Sequence, residues 1–364
     1  MTAYIHPKNI EKARDALWKE HQGSSAVRAS LFNLVIYTKN NERQDYFQKI
    51  AKGVIKKFPC RIIMITESEE SKEAYLKTFV SDLRPDDNSN SLFCDMINFE
   101  VSGDYRNRIP FVVTPNLLAD LPVYFLSGDD PCKKDPVSIE IKDLATRTVY
   151  DSEVSESMVD FAKTLLELYN NGCYDIGDLN WARLAPWRGL FVHTFNDPEK
   201  LKCLRESKDI RITYNVTATK QFCHTKIGAT YFQAWIATKL KWNYESMLGT
   251  KEELCFKYSS SYGPVTITLI PGKYDQVPPG RLLKFESFSS KNEHILLEKS
   301  RQNPQKISIH HATPTHCEMP AYYLLDKEIA GKSMIHEIYS QGTRGSFVDV
   351  LKLISKYNSG SICS

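Results

Sequence analysis

The chain has 364 residues, 42% hydrophobic and 25% charged, which suits a globular protein of two ordinary domains and excludes disulfide- or metal-dependent miniature folds. Its 47 Lys and Arg against 44 Asp and Glu leave a formal charge of +3 with no long basic block, so no nucleic-acid partner is expected. No apolar run is long enough to cross a bilayer and no secretory h-region is visible, so no membrane partner and a cytoplasmic location are expected.

In chain order, residues 1–21 are polar with Ile10, Ala13, Ala16 and Leu17 on one side of a helix. Residues 31–37, 62–65 and 121–126 are nearly continuous apolar runs, the pattern of parallel strands covered on both faces. Between the first two, Phe47, Ile50, Ala51, Val54 and Phe58 form the apolar stripe of a crossover helix. Strands are predicted at 93–101 and 148–150. Ser157 and Asp160 then form a capping box that opens a helix carrying Met158, Phe161, Leu165 and Leu168, and Asn170-Asn171-Gly172 stops it.

Residues 178–207 read as a helical connector, after which the pattern changes. A strand at 210–216 and a helix with Phe232, Trp235, Ile236 and Leu240 precede strands marked by Leu254/Phe256/Tyr258, Val265/Ile267/Leu269, Ile295/Leu297 and Ile307/Ile309. Two helices close the chain, at 328–340 and 346–356. The expected fold class is α/β: a doubly wound, mostly parallel sheet with helices on both faces, then an α+β domain with a largely antiparallel sheet. The expected domains are 1–175, a connector at 176–207, and 208–364.

The loop after the first strand, Thr38-Lys39-Asn40-Asn41-Glu42, lacks the glycine that lets a backbone approach a pyrophosphate, and no P-loop or G-x-S-x-G elbow occurs. No cofactor is expected. His310, His311, His316 and Cys317 match no zinc spacing and read as strand and turn residues, with His311 on the face of Ile307 and Ile309, so no metal is expected. Nine scattered cysteines without a C-x-x-C read as core or inert thiols, Cys363 being the one expected to be exposed. Ser127-Gly128-Asp129-Asp130 follows a strand, where a turn or a ligand site is open.

The segment Asp178-Leu179-Asn180-Trp181-Ala182-Arg183-Leu184-Ala185-Pro186-Trp187-Arg188 stands out. Asp178 suits an N-cap, Arg183 and Trp187 are spaced to stack, and Pro186 either kinks the helix or starts a second one. Trp and Arg suit a binding hot spot, and equally an aromatic core that cements the two domains.

This segment resembles the signature of the OpcA family, the glucose-6-phosphate dehydrogenase assembly proteins. Further similarities are Asn33-Leu34-Val35-Ile36, Pro59-Cys60-Arg61-Ile62-Ile63, the Asp120-Leu121-Pro122 run into a strand, Arg147 with Asp151-Ser152, and Ala234-Trp235-Ile236. A Trp pair common in the family is replaced by Tyr124-Phe125. The resemblance implies a non-enzymatic partner that promotes the active, assembled dehydrogenase in the oxidative pentose phosphate pathway. Asp178, Trp181, Arg183, Leu184, Pro186, Trp187, Arg188, Asp120, Leu121, Pro122, Arg147, Asp151, Ser152 and Arg61 are its candidate partner-binding or signature residues; no small-molecule effector is assigned. The alternative is an enzyme or sensor of sugar phosphates or nucleotide sugars at Ser127–Asp130 and Asp151, with Arg61 or Arg147 on the phosphate.

Overall fold

The computed structural model describes residues 4–20, 27–39, 43–68, 71, 73–84, 92–172, 175–217, 224–249, 253–340 and 342–358. Contacts divide the chain into two interleaved compact units, in place of successive domains joined by a connector: residues 1–154, 168–179 and 329–343 form the first, and 155–167, 180–328 and 344–364 the second.

The first unit carries α1 (Ile10–Glu20), β1 (Val27–Arg28), β2 (Asn33–Thr38), α2 (Gln44–Ile55), β3 (Arg61–Glu67), β4 (Tyr75–Leu83), β5 (Leu92–Ser102), α3 (Ile109–Val113), β6 (Val123–Ser127), α4 (Pro136–Asp143), β7 (Arg147–Tyr150), the end of α5 (Met158–Asn170) and β8 (Ile176–Asp178). Its 8-stranded sheet runs β1-β5-β3-β2-β6-β7-β8, parallel throughout, with β4 added antiparallel to β5. From β5 to β8 this is the strand order of a dinucleotide-binding sheet, reversing direction between β2 and β6.

Every residue of β2 and β3 is buried, as continuous apolar runs require. Leu34, Ile36, Ile62 and Met64 meet the stripe of α2; Val35, Tyr37, Ile63 and Ile65 meet the opposite layer, with Ile10, Ile109 and Ile141. The amide of Asp160 reaches the Ser157 hydroxyl at 3.2 Å, as in the expected capping box.

The second unit carries α6 (Leu179–Arg183), α7 (Ala185–Thr194), α8 (Pro198–Arg205), β9 (Ser207–Asn215), α9 (Ile227–Leu240), β10 (Asn243–Gly249), β11 (Leu254–Ser260), β12 (Gly263–Gly272), β13 (Leu282–Ser289), β14 (His294–Lys299), β15 (Lys306–Ala312), β16 (Ala321–Leu324) and α11 (Gly345–Ile354); α10 (Lys332–Tyr339) returns to the first unit. Its 8-stranded sheet runs β10-β11-β12-β9-β13-β14-β15-β16, antiparallel except between β12 and β9. Period-two burial leaves one face apolar, and α9, buried nearly all round, packs against β9, β12 and α11. A closed hydrogen-bond triad of Tyr258, Gln233 and Tyr357, with all three distances at 2.7–2.8 Å, pins the C-terminal turn to this core.

Candidate functional site

The signature segment straddles the two units. Asp178 and Leu179 belong to the first, where the Asp178 carboxylate accepts the Ser152 amide at 2.9 Å. From Asn180 onward the side chains build the core of the second. Trp181, 3% exposed, stacks on Phe347 at 5.4 Å and meets Tyr231 edge-on at 6.1 Å. The guanidinium that lies on its indole is that of Arg188, 3.7 Å from the ring centroid, which also donates to the Trp181 carbonyl at 2.6 Å. In place of the expected four-apart stack, Arg183 donates to Asn180 Oδ1 at 2.5 Å, and Trp187 meets Phe232 edge-on at 6.0 Å.

Pro186 starts a second helix, standing in the first turn of α7, where its missing N–H costs nothing. Leu184, Trp187 and Arg188 are buried, and Phe191 touches Phe195, Phe232, Trp235 and Phe285. What this segment offers to solvent is the other side: half-buried Arg183 and Pro186, then Gly189, Val192 and His193, with Val192 60% exposed.

The carboxyl edge of the parallel sheet is the second concentration of functional groups. Arg43, at the N-cap of α2, is 1% exposed, donates to Asp151 at 2.6 Å and Glu153 at 3.4 Å, and lies against the rings of Tyr46 and Phe47. Lys39 bridges Asp135 at 2.7 Å and Asp129 at 3.3 Å, and Arg106 pairs with Asp135 and, at 3.4 Å, with Glu67. Tyr37, its hydroxyl pushed far up by burial and the neighbouring carboxylates, stays protonated and donates to Glu67 at 2.5 Å.

Burial raises the Asp129 carboxyl. Burial also opposes charge on Asp135, but the Lys39 ammonium, the Ser138 amide and Arg106 outweigh it and hold that carboxyl below the usual range. At the switch point the Gly128 amide donates to the Tyr37 carbonyl at 2.7 Å. A Cβ on Gly128 would lie 2.6 Å from the Phe47 ring, so this glycine is needed for close approach as well as for a turn.

A dinucleotide of the kind such sheets bind does not fit these residues. The helix start that would face its pyrophosphate bears a buried arginine already paired with two carboxylates. Glu67, at the strand end where an acid would meet a ribose, is taken by Tyr37 and Arg106. Among the described residues the ion pairs along this edge join three cations to five carboxylates, a field that opposes a further anion. Asn40, Asn41 and Glu42 lie outside the described residues.

The remaining candidates separate spatially. Arg61 and Arg147 begin β3 and β7, at the opposite edge of the sheet from Asp129 and Asp151, so they share no site with them. Arg61 holds Asp95 at 3.0 Å and the Asn116 carbonyl at 2.9 Å. Arg147 holds Asp175 at 2.7 Å and Glu337 at 2.5 Å, tying α10 to the sheet. Asp120, Leu121 and Pro122 form a surface turn before β6, and Phe125 is wholly buried while Tyr124 meets Phe32 at 5.1 Å.

His311 is buried and bonds Glu318 at 2.7 Å, with His316 and Cys317 exposed; among the described residues no group of metal-ligating side chains gathers. Cys363 lies outside the described residues. Arg43, Glu67, Arg106 and Glu153 were missed by sequence reasoning. The one available signal was a charged residue, Arg43, at the mouth of an otherwise apolar crossover helix.

Residues 51–167 match the family model described as the glucose-6-phosphate dehydrogenase subunit N-terminal domain, and residues 174–320 match its C-terminal domain. Similar curated proteins bear the name OxPP cycle protein OpcA. The one from Synechocystis sp. is 27% identical over 196 residues, 53% of this chain and 39% of its own length. The one from Nostoc punctiforme is 25% identical over 198 residues, 53% of this chain and 40% of its own. The matches thus span about two fifths of those relatives.

Among solved structures, a 3-ketoreductase of Actinomadura kijaniata in complex with TDP-benzene and NADP aligns with TM-score 0.52 at 10% identity, over 89% of this chain and 95% of that one, a likeness of fold alone. Among the described residues no helix is long and apolar enough to cross a membrane. With both of its domain models matched across most of the sequence, the chain belongs to the OpcA family of glucose-6-phosphate dehydrogenase assembly proteins.

Proposed function

We propose that this protein is a non-catalytic cytoplasmic partner of glucose-6-phosphate dehydrogenase that favours the enzyme's active assembled state and so supports the oxidative pentose phosphate pathway. The observation that carries this reading is the carboxyl edge of the parallel sheet. At this edge Arg43, at the start of α2, is already paired with Asp151 and Glu153, and Phe47 lies against Gly128, so these groups are engaged with one another and not set out to receive a dinucleotide. Family membership supports the identity of the partner.

The physical mechanism is linkage: a protein that binds the assembled enzyme more tightly than the unassembled form shifts the population toward assembly. Because the tryptophans of the signature are internal, the surface offered to the dehydrogenase from this segment is the side bearing Pro186, Val192 and His193. The test mixes the purified chain with the dehydrogenase of the same organism and follows both rate and sedimentation. The expected result is co-sedimentation with a higher rate or a lower KM; unchanged kinetics and unchanged oligomer size would remove the proposal.

A further inference from the structure

On the face of the first sheet that meets α2, β3 reads Ile62, Met64, Thr66 and β5 reads Cys94, Met96, Asn98, Glu100. Each strand thus turns from apolar to polar toward its carboxyl end. Thr66 stands beside Glu100 in register, and Glu100 beside Lys77 of β4. At the start of α2 these strands leave a cavity of about 200 Å³, lined by Gln44, Thr66, Ser68, Tyr75 and Glu100.

Among the described residues, none of these five side chains makes a hydrogen bond or an ion pair. Lys77 lies over the Tyr75 ring at 4.6 Å, and the Glu100 carboxylate beside it in register stays unpaired. Thr66 is 5% exposed, and a hydroxyl left unmatched at that depth is costly unless water or a ligand meets it. One rung deeper on the same face as Glu100, Asn98 Oδ1 is buried without a hydrogen-bond partner.

We propose that this cavity binds one uncharged sugar ring through its hydroxyl groups. The lining offers a carboxylate, an amide and three hydroxyls, all able to accept and most able to donate, which is what a polyhydroxylated ring needs. It holds no cation, and the carboxylates along this edge oppose a phosphate. Its single carboxylate carries too little charge for a divalent metal. A volume of about 200 Å³ is the share of roughly seven waters at ~30 Å³ each, and lies below the ~300 Å³ at which drug-sized pockets begin. A monosaccharide fits that space; a dinucleotide does not. The proposal is independent of the partner role, because it concerns binding to the isolated chain without the dehydrogenase.

The test is isothermal titration and thermal shift of the full chain with D-glucose, D-ribose and adenosine. Sucrose, too large for the cavity, corrects for the general stabilisation by excluded osmolytes. Saturable binding of at least one of the three is expected: a free sugar identifies a monosaccharide site, and adenosine alone the ribose of a nucleoside. Glu100→Gln should weaken binding about tenfold, by removing the charge from the hydrogen bonds it accepts. Thr66→Val should weaken it while melting no lower than the parent without ligand, since it removes an unmatched hydroxyl at constant shape. No saturable binding by the parent, undiminished binding in either variant, or tighter binding of glucose 6-phosphate than of glucose would overturn the proposal; should one variant fail to fold, Ser68→Ala takes its place under the same criterion.

Discussion

Replacing Trp187 by Ala separates a signature read by a partner from one that builds the core. The ring is 5% exposed and set edge-on to Phe232 at 6.0 Å, within a network where Phe232 also stacks on Trp235 at 5.8 Å and meets Phe191 at 5.5 Å. A buried Trp removes roughly 150–250 Å² from water, about 4–6 kcal/mol at ~25 cal/mol per Å². Truncations of this kind cost about 3–5 kcal/mol once partial collapse is allowed. For a unit of this size that is a fall in melting temperature of roughly 6–20 °C.

Calorimetry of the full chain reads the fall, and a pull-down of the dehydrogenase well below the variant's melting point reads binding. The expected outcome is a large thermal loss with partner binding retained by the folded fraction. Val192→Glu, on the 60% exposed position of the same helix, should do the reverse, staying within about 0.5 kcal/mol of the parent in stability while weakening the pull-down. If Trp187→Ala melts like the parent yet no longer captures the dehydrogenase, the indole faces the partner and the core assignment fails.

Arg43→Met should destabilise the first unit by about 3 kcal/mol, the lower end for a broken buried ion pair because Asp151 retains the Glu153 amide at 3.3 Å; urea unfolding checks this, and a loss below about 0.5 kcal/mol would show that the arginine is incidental. Asp135 is held below its ordinary 3.8, so its contribution is fully present above that pH and fades as pH falls through the lower folded-state value. Asp135→Asn should therefore cost stability at neutral pH and show a flatter loss below pH 3.8 than the parent, and parallel acid-unfolding curves would contradict it. Tyr357→Phe leaves Tyr258 and Gln233 short of a buried partner and should cost about 1–3 kcal/mol, read by thermal melting; no change would mean that the triad does not hold the C-terminal turn.

Residues 31–37, 62–65 and 121–126 were readable as parallel strands, 93–101 as a strand, and 47–58 as a crossover helix, because burial on both faces or along one stripe writes itself into neighbouring positions. The helical character of residues 178–207 and the helix start at Ser157 were legible for the same reason. The strand at Tyr75–Leu83 was not: it pairs at the sheet margin with a mixed polar pattern, and its partner strand decides its state. The strand at Leu282–Ser289 hid its buried face behind serines.

Local pattern in the sequence determined the two kinds of sheet, the helices that cover them and the signature segment, since hydrophobic periodicity acts over a few residues. Only the tertiary structure decided that residues 329–343 return to the first unit, where Glu337 meets Arg147 190 positions away, and that Arg43 meets Asp151 108 positions away at the carboxyl edge of the sheet. It also decided that the signature tryptophans turn inward. Charges find their partners through space, and the chain carries no local mark of which distant carboxylate a cation will meet.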